Sequence, residues 1–221
     1  MDAILKQIIT TKRPCYFISP HLDDAVLSAG DLISCLAGKT PVTAITLFTE
    51  SSKPPYTLSA KRFLQHAKYT SAETLFADRR REDAEIFTSL GVSYMHMGFQ
   101  DLSFREKTSP DLISKLFGKY LGEAKCIYPL GFYNKQISKS DYIFLQAIQK
   151  KLHQIIRDKH AIVFAPLAVG GHVDHQITRN ICQKNFPNII YWTDFPYSVK
   201  NGQQDAFIKK QLLKDLDTRF K

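Results

Sequence analysis

The sequence has no apolar run that approaches the ~20 residues a helix needs to cross a membrane. Its first residues, Met1 to Arg13, place three basic side chains around a short apolar pattern. They lack the apolar core of about 7–15 residues and the small-residue cleavage site that a signal peptide needs. We therefore expect no membrane span and no secretory signal, and we expect a cytoplasmic protein.

Cysteine is also scarce, with four residues among 221, and no pair has the C-x-x-C spacing of a zinc or redox motif. Each cysteine lies within an apolar pattern: Cys15, Cys35, Cys126 and Cys182. Widely spaced cysteines in apolar segments are typical of buried thiols in a reducing compartment. The pattern argues against a disulfide scaffold and against a cysteine-bound zinc.

The length is short for two domains and sufficient for one. With 44% hydrophobic residues among 221, the chain can bury one well-packed core. We predict a single domain over residues 1–221.

Polar side chains gather where the first apolar strand ends. After Phe17-Ile18-Ser19-Pro20 come His21, Leu22 and two adjacent carboxylates, Asp23 and Asp24, and a helical pattern then begins. Open α/β sheets place their chemistry at this point, beyond the carboxyl end of a strand. His21 and Asp24 are three residues apart and could share one divalent metal ion. Asp23 must point elsewhere and would be free to act as a general base.

The same carboxylates have a simpler interpretation. Aspartate is a favoured N-cap, so Asp23 or Asp24 could serve only to cap the helix that begins at Ala25. A short motif of this kind stays a hypothesis until its structural context is found.

A second stretch, Val163 to His175, has the same design. An apolar strand again ends at a proline, Pro166, and a Gly-rich turn follows, with His172 and His175 just before a helical pattern. Two histidines and one carboxylate leave an open coordination position for water, which distinguishes a catalytic from a structural zinc site. The two loops together predict a catalytic metal site.

The paired loops, Pro20-His21-Leu22-Asp23-Asp24 and Gly171-His172-Val173-Asp174-His175, resemble those of the LmbE-like, or PIG-L-like, zinc-dependent de-N-acetylases. These enzymes remove acetyl from N-acetylglucosamine-type sugars. The resemblance covers the chain from about Cys15 to Tyr197 and extends to three further stretches: Arg79-Arg80-Arg81-Glu82, Leu90-Gly91-Val92 and Met97-Gly98-Phe99-Gln100-Asp101. It implies a Rossmann-like α/β fold, with a mostly parallel sheet between two layers of helices.

The resemblance also implies the metal and its ligands. His21, Asp24 and His175 would hold one Zn²⁺ per chain, and Asp23 would be the general base.

Three further residues match functional positions of the family. His172 would stabilise the tetrahedral intermediate or protonate the leaving amine, and Arg79 and Asp101 would face the substrate. Two residues depart from the usual pattern, because Leu22 stands where the family usually has Pro and Ala25 where it usually has Glu. Neither change removes a ligand or the base, although the lost carboxylate at position 25 leaves the first loop with less support.

Strand and helix patterns alternate along the chain in the order of parallel βαβ units. Strands are predicted at Cys15 to Ile18, Val42 to Phe48, Val92 to Met97, Lys125 to Tyr128, Ala161 to Ala165 and Asn188 to Trp192. Helices are predicted at Ala25 to Leu36, Asp78 to Leu90, Asp111 to Leu121, Asp141 to Asp158, His175 to Lys184 and Gln203 to Leu216.

The segment from Glu50 to Phe76 interrupts this alternation. It is too long for an ordinary connection and contains several basic and aromatic residues. Long loops at the carboxyl edge of a parallel sheet usually cover the site, although a mobile surface excursion would have the same pattern.

Basic residues exceed acidic ones, 30 against 21. Two segments, Lys53 to Arg81 and Lys200 to Lys221, carry most of the excess. Such segments could bind nucleic acid, contact a phosphate-bearing substrate, or only face solvent. Because no helix-turn-helix, zinc-finger or RNP-type pattern accompanies them, we expect no nucleic-acid partner.

The predicted function is that of a zinc-dependent hydrolase that removes the acetyl group from a small N-acetylated amino sugar or sugar conjugate. The alternative is a catalytically inactive sugar- or nucleotide-binding protein of the same fold. A complete ligand set beside an uncompensated Asp23 argues against that alternative, because a buried carboxylate without a metal or a proton is costly. The sequence is compatible with a homo-oligomer.

Overall fold

The computed structural model describes residues 2–129 and 136–196. The described strands are β1 (Cys15–Ser19), β2 (Val42–Glu50), β3 (Ser93–Gln100), β4 (Ile162–Pro166) and β5 (Ile189–Trp192). They form one parallel sheet in the order β3-β2-β1-β4-β5.

The helices of the described residues are α1 (Asp2–Thr10), α2 (Asp24–Leu36), α3 (Leu58–His66), α4 (Ala72–Ser89), α5 (Leu112–Phe117), α6 (Gly122–Lys125), α7 (Tyr142–Ile155) and α8 (Val173–Asn185). Short 3₁₀ turns occur at Leu102–Phe104 and Lys139–Asp141. No helix in this part of the chain combines the length and apolarity that a membrane crossing requires.

Helices cover both faces of the sheet. Successive side chains of a strand point to opposite faces, so Phe17 packs in one apolar core and Ile18 in the other. The core around Phe17 is closed by α1, α2 and the end of α4, and the core around Ile18 is closed by α7 and α8. The predicted three-layer α/β fold with a parallel sheet is confirmed.

An aromatic stack crosses the centre of the sheet on the face that α2 covers. Phe17 of β1 pairs in register with Phe164 of β4, and their rings stack with centroids 4.3 Å apart and an interplanar angle of 6°. Trp192 at the end of β5 stacks on Phe17 at 6.2 Å. Phe17 and Phe164 therefore join the two strands that carry the histidine loops, and Trp192 extends the stack to β5.

The predicted strand at Lys125 to Tyr128 is wrong. The chain forms α6 up to Lys125, and Cys126 makes only an isolated antiparallel bridge with Glu106. The backbone N–H of Ile127 donates to the carbonyl of Arg105, outside the sheet. Cys126 is buried, so the apolar pattern reflects burial beneath this small hairpin and not a place in the sheet.

Several helix predictions need correction at their ends. The structure adds α1, α3 and α6, which the sequence did not predict, and α4 begins six residues before the predicted start at Asp78. The helix predicted from Asp111 to Leu121 is shorter and ends at Phe117. The predicted closing helix, Gln203 to Leu216, lies outside the described residues, as does the stretch from Leu130 to Lys135. The four cysteines are free thiols; Cys15, Cys126 and Cys182 are buried as predicted, whereas Cys35 is only half-buried.

Candidate metal centre and catalytic site

The candidate site lies where the strand order reverses. Because β1 has β2 on one side and β4 on the other, the loops after β1 and β4 open at the same crevice, where doubly wound sheets bind their ligands. The first loop brings His21, Asp23 and Asp24 to this crevice, and the second brings His172 and His175.

The three predicted metal ligands meet at one oxygen of Asp24. Asp24 Oδ2 lies 3.0 Å from His21 Nδ1 and 3.2 Å from His175 Nε2. The backbone N–H of His21 donates to the same oxygen at 2.9 Å. Neighbouring ligand atoms around a tetrahedral zinc, with bonds of about 2.0–2.1 Å, are about 3.3–3.4 Å apart. Each of the two distances is close to the spacing of neighbouring zinc ligands, but His21, Asp24 and His175 do not form a group whose three donor atoms all lie within 4.8 Å of one another.

Two other groups of donors overlap with this one. His21, His172 and His175 each place a ring nitrogen within 4.8 Å of the others, and so do His21, Asp101 and Asp174 with one donor atom each. Imidazole nitrogens and carboxylate oxygens are the donors that zinc and related divalent ions prefer. The site therefore contains a His/Asp group that could bind a metal, and His21 belongs to every combination.

Two buried carboxylates fix the orientation of the histidine rings. Asp174 Oδ2 lies 3.1 Å from His21 Nε2, and Asp194 Oδ1 lies 2.5 Å from His175 Nδ1. A carboxylate that accepts a proton from one ring nitrogen leaves the other nitrogen available to a metal. His21 would thus offer Nδ1 and His175 would offer Nε2, and these are the two nitrogens that face Asp24.

The buried carboxylates favour the protonated form of both histidine rings. Burial lowers the pKa of His175, but the charge of Asp24 and the hydrogen bond to Asp194 outweigh burial and raise that pKa to about 9. Burial also opposes protonation of His21, yet hydrogen bonds to Asp174 and Asp24 hold its pKa well above the ordinary value. Burial raises the pKa of Asp24, but the charge of His175 and the hydrogen bonds from both rings hold it well below its ordinary value.

Asp23 is bound by Arg79 and not by the clustered histidines, so its carboxylate is compensated by a cation, contrary to the sequence prediction of a free and uncompensated Asp23. Its backbone has a positive φ of 111°, and 46% of its side chain is exposed. Arg79 binds the Asp23 carboxylate at 2.5 Å and the carbonyl of Leu22 at 2.9 Å. Burial raises the pKa of Asp23 in spite of the nearby Arg79 charge. The Asp23 carboxylate thus lies beside the cluster without being one of its donors.

The helix-capping interpretation of the two carboxylates is wrong. Asp23 occupies the N-cap position of α2, but its side chain makes no capping hydrogen bond. The hydroxyl of Ser19 accepts the N–H of Ala25 at 3.0 Å instead. Both carboxylates are thus left for interactions within the site.

His172 is the N-cap of α8 and lies at the edge of the cluster. Its Nδ1 accepts the backbone N–H of Asp174 at 3.3 Å, so the neutral ring carries its proton on Nε2. Its ring centroid lies 4.9 Å from that of His21 and 5.2 Å from that of His175. Burial, with the charge of His21, lowers the pKa of His172 to about 3. The surroundings of His172 therefore favour its neutral imidazole form.

Asp101 lies directly beside His21. Its Oδ2 is 3.4 Å from His21 Nε2, and its Oδ1 accepts the N–H of Ser103 at 2.8 Å. Burial raises the pKa of Asp101, although the charge of His21 opposes this shift. The structure thus places Asp101 beside His21 and Arg79 beside Asp23.

The segment from Glu50 to Phe76 packs against the first loop. Leu22 is buried in an apolar cluster with residues of α3 and α4 and with Phe104. Gly122 anchors the same segment, because a Cβ there would meet the backbone of Tyr56 at 2.4 Å. The departure at Leu22 therefore has a packing role, since this leucine ties the segment to the loop that holds His21.

Three residues of the site have no functional role in the sequence prediction. Asp174 lies within the second motif, and its position between two histidines could have indicated a role in the site. Asp194 follows the end of β5, so its place at the carboxyl edge of a strand could have indicated it. Arg105 lies in a loop and is 1% exposed, and nothing in its sequence context signalled burial.

The fold and the cluster define the class of the protein: an α/β protein with a His/Asp site able to hold a divalent metal at the switch point of a parallel sheet. The chain belongs to the PIG-L family, described as GlcNAc-PI de-N-acetylase, whose model matches residues 16–186. The family predicted from the paired loops is confirmed.

Known relatives are deacetylases. The chain is 27% identical over 205 residues to 2'-N-acetylparomamine deacetylase of Streptomyces fradiae, a match that covers 90% of this chain and 61% of that protein. It is 25% identical over 229 residues to 2'-N-acetylparomamine deacetylase of Niallia circulans, covering 95% of this chain and 78% of that protein. The chain thus spans less than two thirds of the Streptomyces relative.

Solved structures of deacetylases share the fold. The zinc-inhibited form of teicoplanin deacetylase superposes with a TM-score of 0.68 at 26% identity, covering 86% of this chain and 70% of that chain. The deacetylase of the A40926 pseudoaglycone gives a TM-score of 0.61 at 26% identity, covering 86% and 66%.

Proposed function

We propose that this protein is a metal-dependent hydrolase that removes the acetyl group from an N-acetylated amino sugar or a conjugate of one. The proposal rests on the different contacts of the two adjacent carboxylates in the first loop. Asp24 joins two histidines at 3.0 and 3.2 Å, whereas Asp23 is held outside them by Arg79. The deacetylase names of the relatives support the same reaction.

We propose that His21, Asp24 and His175 hold one zinc ion per chain. A bound zinc would polarise the acetamide carbonyl and lower the pKa of a water to about 7. The chain's own contribution is to orient the two rings through Asp174 and Asp194, so that their nitrogens face Asp24.

Asp23 would accept the proton of the attacking water. The water oxygen then bonds to the acetamide carbon, the carbon–nitrogen bond breaks, and the amine leaves with the proton that Asp23 received. The products are acetate and the free amino sugar. Because Arg79 fixes the Asp23 carboxylate at 2.5 Å, the base stays in one place during both proton transfers.

His172 would donate from Nε2 to the oxygen that becomes negative in the tetrahedral intermediate. Its Nδ1 already accepts a backbone N–H, so Nε2 carries the proton. A fixed donor aimed at a developing charge is worth about 10²–10³ in rate. Arg79 and Asp101 would line the substrate side of the crevice.

We further propose that residues 1–221 form one domain that works in the cytoplasm. The single sheet of the described residues supports one domain. The four free thiols support a reducing compartment.

An acetate-release assay tests the proposed function. Purified protein is incubated with a panel of N-acetylhexosamine conjugates that includes 2'-N-acetylparomamine, and the zinc content of the same sample is measured. We expect one acetate per free amine for at least one conjugate. The activity should be lost on chelation and restored by zinc. Binding of a conjugate without acetate release by the zinc-loaded protein would instead support an inactive sugar-binding protein.

Replacing His172 separates its proposed role from metal binding. We expect His172→Ala to lower kcat by about 10²–10³ with the zinc content unchanged, because the oxyanion loses one donor. The variant also loses the N-cap of α8, which costs about 1 kcal/mol of stability. His172→Asn keeps a capping acceptor and serves as the matched control for that effect.

Two outcomes would contradict the proposed role of His172. Loss of zinc from the folded His172→Ala variant would make His172 a ligand, as in the three-histidine group. A folded variant with full specific activity and lower thermal stability would show that His172 only packs and caps the helix.

A further inference from the structure

Arg105 is the largest fully buried side chain among the described residues. It follows the 3₁₀ turn after β3, and 1% of its side chain is exposed. Its guanidinium donates to the carbonyl of Gln100 from Nε at 3.2 Å and from Nη2 at 3.1 Å. Nη2 also donates to Asp174 Oδ1. A guanidinium engaged in this way has a fixed orientation.

The surroundings of Arg105 prevent it from moving. Phe144 and Phe48 place their rings 4.4 and 4.8 Å from the guanidinium carbon. On the far side, Asp141 Oδ2 lies 3.5 Å from Nη1 and accepts the hydroxyl of Tyr128. The guanidinium therefore lies between the fully buried carboxylates of Asp141 and Asp174. Of these two, only Asp174 contacts the candidate metal centre, through His21.

Asp174 connects Arg105 to the metal centre. One carboxylate oxygen accepts from Arg105, and the other accepts the N–H of Leu102 at 3.0 Å and lies 3.1 Å from His21 Nε2. With both oxygens engaged, the carboxylate plane has one orientation. That orientation aims an acceptor at Nε2 of His21.

We propose that Arg105 is a positioning residue for the metal centre: by fixing Asp174, it keeps the proton of His21 on Nε2 and leaves Nδ1 for the metal. The inference rests on the proposed function, since it assumes that His21 is a metal ligand. Without Arg105, Asp174 would be a buried carboxylate with one oxygen unpaired and free to turn. The competing explanation is that Arg105 only neutralises buried acidic groups in the core.

Zinc affinity of the metal-free chain tests the inference without reference to turnover. We expect Arg105→Met and Asp174→Asn each to weaken zinc binding by about 10–100-fold, measured by competition with a chromophoric chelator. The double variant should bind about as weakly as the weaker single variant, because both changes break one connection. Effects that multiply in the double variant would overturn the proposal.

Arg80→Met is the matched control. Arg80 is a partly buried arginine that donates to the carbonyl of Thr49 at 2.7 Å and pairs with Glu50 at 2.9 Å. None of these contacts involves Asp174. We expect its zinc affinity to stay at the wild-type value, and an equal loss in both arginine variants would show a general effect of removing a cation.

If Arg105→Met does not fold, the test uses Arg105→Lys together with nitrogen NMR of labelled histidines. Lysine keeps the charge but cannot make the paired contacts of the guanidinium. We expect weaker zinc binding and, in the zinc-loaded protein, loss of the single His21 form that carries its proton on Nε2. Wild-type affinity and an unchanged His21 signal in a folded variant would overturn the inference. Absence of zinc binding by the wild-type chain would instead overturn the proposed function.

Discussion

Replacing His21, Asp24 or His175 with Ala is expected to remove the metal and, with it, all measurable deacetylation. Each side chain supplies one of the three proposed donor atoms: Asp24 Oδ2, and the two ring nitrogens that lie 3.0 and 3.2 Å from it, His21 Nδ1 and His175 Nε2. Loss of a direct ligand should weaken zinc binding by more than the ~10–100-fold that substitutions behind the ligands cost. Metal content per chain after dialysis against a weak chelator is the measurement, with acetate release measured on the same samples.

His153→Ala is the control for the ligand variants. His153 lies on α7, is exposed, and contacts Asn185 Oδ1 at 3.0 Å. The same substitution there should leave zinc content and turnover unchanged. The proposed ligand set fails if any one of the three ligand variants, correctly folded, keeps zinc at the wild-type affinity.

Asp23→Asn is expected to keep the fold and the zinc while losing most of the turnover. Asparagine tolerates a positive φ better than most residues, so the backbone at 111° is not further strained. Its amide oxygen can still accept from Arg79. What is lost is the ability to take a proton, and a general base typically contributes about 10²–10⁴ in rate. The measurement is kcat and KM at saturating zinc, and we expect the loss in kcat.

Asp31→Asn provides the comparison for Asp23→Asn, because Asp31 is an exposed aspartate on the same helix, α2. It should behave as the wild type. Near-normal turnover of a zinc-loaded Asp23→Asn protein would show that another group moves the proton.

The fold was predictable because its signals are local. A run such as Val42 to Phe48 needs both faces covered, and the strand-helix alternation implied parallel connections. The false strand at Lys125 to Tyr128 shows the limit of this reasoning. Cys126 is as buried as a strand residue. However, the backbone groups of Lys125 and Ile127 form hydrogen bonds with Lys107 and Arg105 and not with a strand of the sheet. The hydrophobic periodicity of the sequence does not indicate such partners.

The motif residues of the candidate site were predictable from the sequence, whereas the residues that contact and orient them were not. His21 and Asp24 are neighbours in sequence, and His175 repeats the same loop design. Asp194 reaches His175 only because β5 lies next to β4, and strand order is a property of the whole sheet. Arg105 was missed for another reason: charged residues are rarely buried without partners, and its partners come from distant segments.

The aromatic stack of Phe17, Phe164 and Trp192 sets the alignment on which the metal centre depends. Sliding β4 past β1 by one residue would displace it by about 3.3 Å and exchange the faces of its side chains. A catalytic constellation tolerates errors of only about 0.5 Å. We therefore expect a change of ring size at Phe17 or Phe164 to alter the distance between His175 and Asp24. The rings that fill the core beneath the sheet thus also set the spacing between the two loops at its edge.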